Sequence, residues 1–323
     1  MYIYIIIFFI LLVTELLYFI IADKYDIIDQ PNHRSSHNTV TIRGGGIIFS
    51  IALLIANFCW GGQYWYFSLG LFLISLISFI DDIRSTPNVI RIVVHLLAVG
   101  LLFNQLGMYS QPIYLIAIGF FFVIGSINAI NFMDGINGIT GGFGLLTLLT
   151  LYYINSCLVP YTDANYLIVA CIALVVFNFF NFRAKAKCFA GDVGSVSLAF
   201  IMLFFLLQLI ITTGNLNYLL LLLMYGLDTG TTIVFRTIRQ ENVLKAHRSH
   251  FYQFLANEKK APHLVVSSLY VLVQGLINFI IIRWNLQTFN NLLLFAVLSA
   301  VIFVLIRIWL EGFRKLFLIK TAK

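Results

Sequence analysis

Apolar runs near bilayer-spanning length recur in this chain from residue 2 to residue 311, and they leave little choice of fold. At roughly 20 apolar residues per crossing, about eleven transmembrane helices are expected. Their approximate spans are 2–22, 45–60, 65–80, 90–107, 112–127, 139–156, 165–180, 194–213, 217–235, 264–283 and 290–311. Only 10% of the residues are charged and 61% are hydrophobic, which excludes a soluble domain of this size. The expected class is an all-α polytopic membrane protein, with residues 1–323 forming one integral membrane domain. The longest stretch between spans, 236–263, is too short to build a core of its own. The first segment lacks a basic lead and a small-residue cleavage site, so it reads as a retained helix rather than a signal peptide.

Charge sets the orientation. Of the 20 basic residues, all but Arg283 fall in alternate loops or the C-terminal tail, on one face. By the positive-inside rule that face is cytoplasmic, which gives an N-out, C-in topology. Trp60, Tyr64, Trp65, Tyr66, Tyr109, Tyr161, Tyr166 and Trp284 mark the opposite ends as an aromatic belt. The net charge of +7 therefore reports membrane orientation, and no nucleic-acid partner is expected. Cys59, Cys157, Cys171 and Cys188 lack metal-ligand spacing and read as small core residues.

The carboxylates and histidines gather on the same face as the basic residues, where ionisable groups in so apolar a chain are functional candidates. In "NAINFMDGING", 128–138, Asn128, Asn131 and Asp134 recur every three residues, close to one stripe of a tight helical end. Asparagine offers donor and acceptor atoms together, which suits ribose, uracil or an acetamido group. In "SFIDDIRSTP", 78–87, the adjacent Asp81 and Asp82 suit Mg²⁺, a proton transfer, or simply a solvated helix end before Pro87. In "CFAGDVGSVSLAF", 188–200, Gly191 and Gly194 flank Asp192, so backbone can approach a ligand while the carboxylate projects towards it. A helix starting near Ser195 would add N–H groups favouring phosphate, although plain capping also explains the residues.

Two basic stretches complete the set. "KAHRSHFYQFL", 245–255, holds His247, Arg248 and His250, a donor cluster fit for a diphosphate or a uracil edge. A histidine metal site lacks a nearby Cys or Glu to complete it, and a basic membrane-surface helix is the plainer alternative. "PNHRSSHNTVTIRGGG", 31–46, places Arg34, His37 and Arg43 before three glycines whose N–H groups can cradle phosphate. An interfacial loop and a close helix–helix contact explain that stretch equally well. Lys187 and Asp228 join the substrate-binding candidates on the same face, while His95, alone in its helix, reads as a packing residue.

Taken in order, "FIDD", "NAINFMDGING", "FAGDVGS" and "AHRSHFYQ" resemble the polyprenyl-phosphate N-acetylhexosamine-1-phosphate transferases, glycosyltransferase family 4, across residues 25 to 255. "HRSH" together with "PNHRSSHNTVTIRGGG" looks most like the O-antigen-initiating branch. The resemblance implies a bacterial inner-membrane enzyme with its active site in the cytoplasmic loops. It would transfer sugar-1-phosphate from a UDP-N-acetylhexosamine to undecaprenyl phosphate with release of UMP. The resemblance further implies Mg²⁺ dependence, with Mn²⁺ as a substitute, membrane lipids as neighbours, and dimers as among relatives. Carried to matching positions, it makes Asp192 the metal ligand and Asp81, Asp82 and Asp134 catalytic. Asn128, Asn131, Gly191, His247, Arg248 and His250 would bind substrate, with Arg43, Asp228 and Lys187 beside them.

Two positions depart from the family pattern. Many relatives read Asp-Gly-x-Asp-Gly where this chain has Asp134, Gly135, Ile136, Asn137 and Gly138, so no second carboxylate is available there. Relatives also place an asparagine ten residues before the metal aspartate, where this chain has Phe182 next to Asn181. The alternatives are lipid-carrier initiation of peptidoglycan or teichoic type with a different UDP-sugar, or a secondary transporter. A transporter would bury its polar residues near the midplane and show inverted repeats, and this sequence has neither pattern.

Overall fold

The computed structural model describes residues 2–30, 40–243, 248–284 and 286–318. In chain order the helices are α1 (Tyr2–Lys24), α2 (Ile47–Cys59), α3 (Trp65–Ile83), α4 (Asn88–Gln105), α5 (Ile113–Met133), α6 (Ile139–Cys157) and α7 (Ala164–Asn181). They continue as α8 (Gly191–Thr213), α9 (Leu223–Ile238), α10 (Phe251–Asn257), α11 (His263–Arg283), α12 (Phe289–Glu311) and α13 (Phe313–Phe317). All but the short α10 and α13 lie on the expected apolar runs. Among the described residues, nine helical segments are long and apolar enough to cross a membrane, the 3₁₀ stretch before α9 being counted with it. The expected eleven is larger for two reasons. The α2 helix has only 13 residues, and α6 is diluted by glycines, threonines and Asn155.

Local chemistry sets the helix boundaries. Pro87, Pro112 and Pro262 stand immediately before α4, α5 and α11, where a missing backbone N–H does no harm. Asp163 caps α7 by accepting the Asn165 N–H at 2.9 Å. At the far end of α8, Gly214 takes the left-handed conformation that commonly stops a helix.

The core is organised around α8, which is apolar on every side and buried along most of its length. It packs against α2, α3, α5 and α6. Phe67 of α3 stacks on Phe204 of α8 with ring centroids 4.0 Å apart, and Phe143 of α6 stacks on Tyr225 of α9 at 3.8 Å. By contrast, α5 and α12 leave most of their apolar side chains outside the bundle, as a hydrocarbon solvent permits. Cysteine burial is mixed: Cys188 is buried, Cys171 half-buried, and Cys59 and Cys157 exposed, so the core reading fits only part of the set.

One extended element matters for the site. Strands β1 (Ile28–Asp29) and β2 (Thr41–Ile42) pair antiparallel, and Ile42 also bridges Cys188. The segment after α1 is thereby laid against the segment that leads into α8.

Candidate active site

The site begins where α8 starts. The N–H groups of Asp192 and Val193, in its first turn, donate to Asp82 Oδ1 and Oδ2, each at 2.9 Å. A helix N-terminus attracts an anion, and here the anion is the carboxylate that ends α3. Gly191 allows this contact. Its φ is +71°, and a Cβ would come within 2.6 Å of Asp82 Oδ2 and 2.8 Å of the Gly44 backbone. Gly191 was expected to let the backbone approach a ligand; in the structure it lets the backbone approach Asp82 and Gly44. Of the two readings of the glycine run, the structure shows the close contact, with Gly46 against Gly194 of α8. Gly45 and Gly46 donate their N–H groups to Phe189 O (2.9 Å) and Ala190 O (3.1 Å), so they hold the neighbouring segment rather than phosphate.

Two arginines join three carboxylates above this cap. Arg43 Nε lies 2.6 Å from Asp82 Oδ1, and its terminal nitrogen lies 3.3 Å from Asp192 Oδ1. Arg91, from the first turn of α4, reaches Asp81 Oδ2 at 2.8 Å and Asp192 Oδ2 at 3.6 Å. Thr86 donates its N–H and hydroxyl to Asp81 Oδ1, both at 2.7 Å, which closes the turn that brings α4 back beside α3. Asp82 is fully enclosed, whereas the Asp192 side chain keeps 20% of its surface open. Burial opposes the charge on Arg43, but Asp82, Asp192 and Asp29 outweigh it and push its pKa above the ordinary arginine value. Arg91 was read in the sequence only as an orientation charge. The missed signal is its place just beyond the Pro87 turn, ten residues after Asp81.

Asn131 and Asp134 reach this cluster from the end of α5. Asn131 Oδ1 accepts the Ser195 hydroxyl at 2.6 Å, which ties α5 to the first turn of α8. Asn128 instead donates its amide to Ile124 O of its own helix at 2.9 Å. Asp134 is partly buried at the C-terminus of α5. Burial pushes its pKa up to about 7; the charges of Asp192 and Asp82 add to the rise, while Thr140 and Arg43 oppose it.

The two departures from the family pattern prove to be staples. Asn137 is buried and donates its amide to Arg183 O (2.9 Å) and Ala184 O (3.3 Å). A carboxylate could make neither bond, because it has no proton to give. Asn181 accepts the Gly138 N–H at 2.8 Å and donates to Cys188 O at 2.8 Å. One amide thus links the loop bearing Asp134 to the segment that delivers Asp192.

The other candidates divide. Asp228, a substrate-binding candidate by sequence, stands in the structure as an internal strut. It is fully buried and accepts the N–H groups of Phe251 (2.8 Å) and Tyr252 (3.1 Å) and the Tyr270 hydroxyl (2.6 Å). His250 is likewise buried, with Nδ1 3.4 Å from Asp228 Oδ1, so it faces the strut rather than open space. Arg307 completes this set by donating to Thr231 and Thr232 of α9 and to Ser249 O. Arg248 lines a cavity of about 120 Å³ with Thr232, Phe235, Arg307 and Lys315, none of which belongs to the Asp82–Asp192 cluster. Lys187 is exposed on the segment leading to Asp192. His247, Arg34 and His37 lie outside the described residues. The Tyr252 hydroxyl donates to Phe132 O at 3.0 Å, which fixes α10 beside the Asp134 loop.

The residues fit a hard divalent cation bound together with its substrate. Three carboxylates against two guanidinium groups leave one net negative charge, before Asp134 is counted. Among the described residues no three metal-ligating side chains form a ready cage. Mg²⁺ does not need one, since it usually takes one or two carboxylates, waters and phosphate oxygens. Asp192, with its open surface, is the group fitted to hold it.

No curated protein matches the chain. Residues 64–210, from α3 to near the end of α8, match the family model described as Glycosyl transferase family 4. The matched segment carries Asp81, Asp82, Arg91, Asn131, Asp134 and Asp192, and the match supports a membrane-embedded transferase similar to that family.

Proposed function

We propose that the protein transfers an N-acetylhexosamine-1-phosphate from a UDP-sugar to undecaprenyl phosphate at the cytoplasmic face of a bacterial inner membrane. The product, a lipid-diphospho-sugar, would initiate O-antigen or a related surface polysaccharide. The observation that carries this reading is the junction of Asp81, Asp82 and Asp192 with Arg43 and Arg91 at one end of an apolar helical bundle. A phosphorylated lipid and a soluble nucleotide can meet only at such an end.

In the reaction, an oxygen of the lipid phosphate bonds to the β-phosphorus of the UDP-sugar. The bond from that phosphorus to the bridging oxygen breaks, and UMP leaves with the electron pair. Phosphoryl transfer asks a protein mainly for positioning and charge neutralisation. Arg43 and Arg91 supply guanidinium donors that can pass from carboxylate to phosphate, a geometry in which arginine excels. Asp82 is committed to the α8 cap and holds Arg43, so its part is to set the position of Asp192. Asp134 and Asn131 face the same cluster and are assigned to the nucleotide donor. Bound at Asp192, Mg²⁺ would neutralise the diphosphate charge that develops on departure of UMP.

Purified protein in detergent, given undecaprenyl phosphate and a panel of UDP-N-acetylhexosamines, tests the proposal. UMP release that requires both the lipid and Mg²⁺ is expected. Absence of UMP release with every sugar would refute it.

A further inference from the structure

Five residues form the buried stripe of α1: Ile7, Leu11, Glu15, Tyr18 and Ala22. Glu15 stands in the middle of that stripe with no exposed surface. Its Oε1 accepts the Cys188 thiol at 3.5 Å. Its Oε2 is enclosed without a hydrogen-bond partner among the described residues. A carboxyl group so enclosed is costly to place in an apolar stripe. A leucine would fit the stripe at lower cost, so the acid calls for a reason.

The surroundings give one. Gly45 packs against this contact so closely that a Cβ would lie 2.7 Å from Cys188 Sγ and 2.9 Å from Glu15 Oε1. Tyr18, on the same face of α1, donates its hydroxyl to Arg43 O at 2.6 Å. Phe189 N–H donates to Ile42 O at 2.8 Å, so Cys188 sits in the pairing between the segments carrying Arg43 and Asp192. The α1 helix, which precedes the family-matched segment, therefore touches both halves of the charged cluster's support.

We propose that Glu15 is a positioning residue: its buried carboxyl oxygen accepts the hydrogen bond of the Cys188 thiol and so fixes the segment that presents Asp192. The kinetic side of this inference rests on the transfer reaction proposed above. Its test compares Glu15→Gln, which keeps the acceptor oxygen, with Glu15→Leu, which removes the acceptor. Glu15→Gln should retain kcat within about twofold, and Glu15→Leu should lower kcat about tenfold while leaving KM for the UDP-sugar nearly unchanged. Cys188→Ala should lower kcat as Glu15→Leu does, and the two losses should not add in the double variant.

A second readout does not depend on turnover. Maleimide alkylation of Cys188, located by peptide mass, should be faster in Glu15→Leu than in wild type or Glu15→Gln. An unchanged kcat in Glu15→Leu overturns the proposal, as does a Glu15→Gln loss equal to that of Glu15→Leu. If the wild-type protein releases no UMP, the transfer reading fails and alkylation alone decides. Equal Cys188 labelling in all three proteins then overturns the role of Glu15.

Discussion

Replacing Asn137 with aspartate should destabilise this protein. The amide donates to Arg183 O at 2.9 Å and to Ala184 O at 3.3 Å from a site with 5% exposure. Asn137→Asp removes both donors, at about 0.5–1.5 kcal/mol for each bond lost. It also turns a carboxylate oxygen towards two carbonyl oxygens, adding a desolvation penalty of about 1–3 kcal/mol for the unsatisfied group. A total near 3 kcal/mol corresponds to a fall in Tm of about 5 °C or more. The assay is thermal unfolding of detergent-purified protein, followed by tryptophan fluorescence at neutral pH and again in mild acid. Protonation would restore one donor to the new side chain, so the deficit should shrink as pH falls. Equal Tm values at neutral pH would refute the claim that the amide was selected by those carbonyls.

Asp192→Asn should lower transfer by about a thousandfold or more while the protein still folds, since the charge that would hold Mg²⁺ is lost; near-normal UMP release would remove Asp192 from the metal site. Asp134, with a pKa of about 7, should impose an acid limb on kcat/KM: the rate rises with pH through about 7 as the carboxylate ionises, and Asp134→Asn should abolish that limb. The same shift means that the folded state holds a proton which the unfolded chain has already released. Stability contributed by Asp134 is therefore greatest below the ordinary aspartate range and falls as pH rises towards about 7, which stability measured against pH in the same two proteins would detect. Asp228→Ala should cost about 3–5 kcal/mol, because Arg307 and two backbone N–H groups lose a buried anion; its effect should appear as lowered Tm, and a selective rise in KM without loss of stability would restore a substrate-binding role.

The helices were legible because apolar length alone announces a bilayer solvent. The carboxylates were legible as candidates for the same reason: an acid in so apolar a chain needs a cause. What each acid does was not legible. Asp82 caps a helix through an N–H 110 residues later, and nothing near it in sequence gives that partner. Asp228 was grouped with the substrate-binding candidates on the same face, yet its oxygens are taken up by the N–H groups of Phe251 and Tyr252. His250 and the glycine run were ligand-facing candidates because a residue type shows which bonds it can form but not whether a neighbouring segment has already formed them. Arg91 was overlooked from the opposite side: a lone arginine at a helix start looks like topology until the turn before it closes.

The Asn181 amide has a mechanical consequence. With Gly138 held on one side and Cys188 on the other, the Asp134 loop and the Asp192 segment share a single hinge-free mount. Moving one without the other would break at least one of these bonds, so the amide couples the two walls. Beside the same loop, α10 is joined to Phe132 O by the Tyr252 phenol and to Asp228 by two backbone N–H groups. The loop that carries Asp134 is thus pinned from both neighbours, by an amide on one side and a phenol on the other.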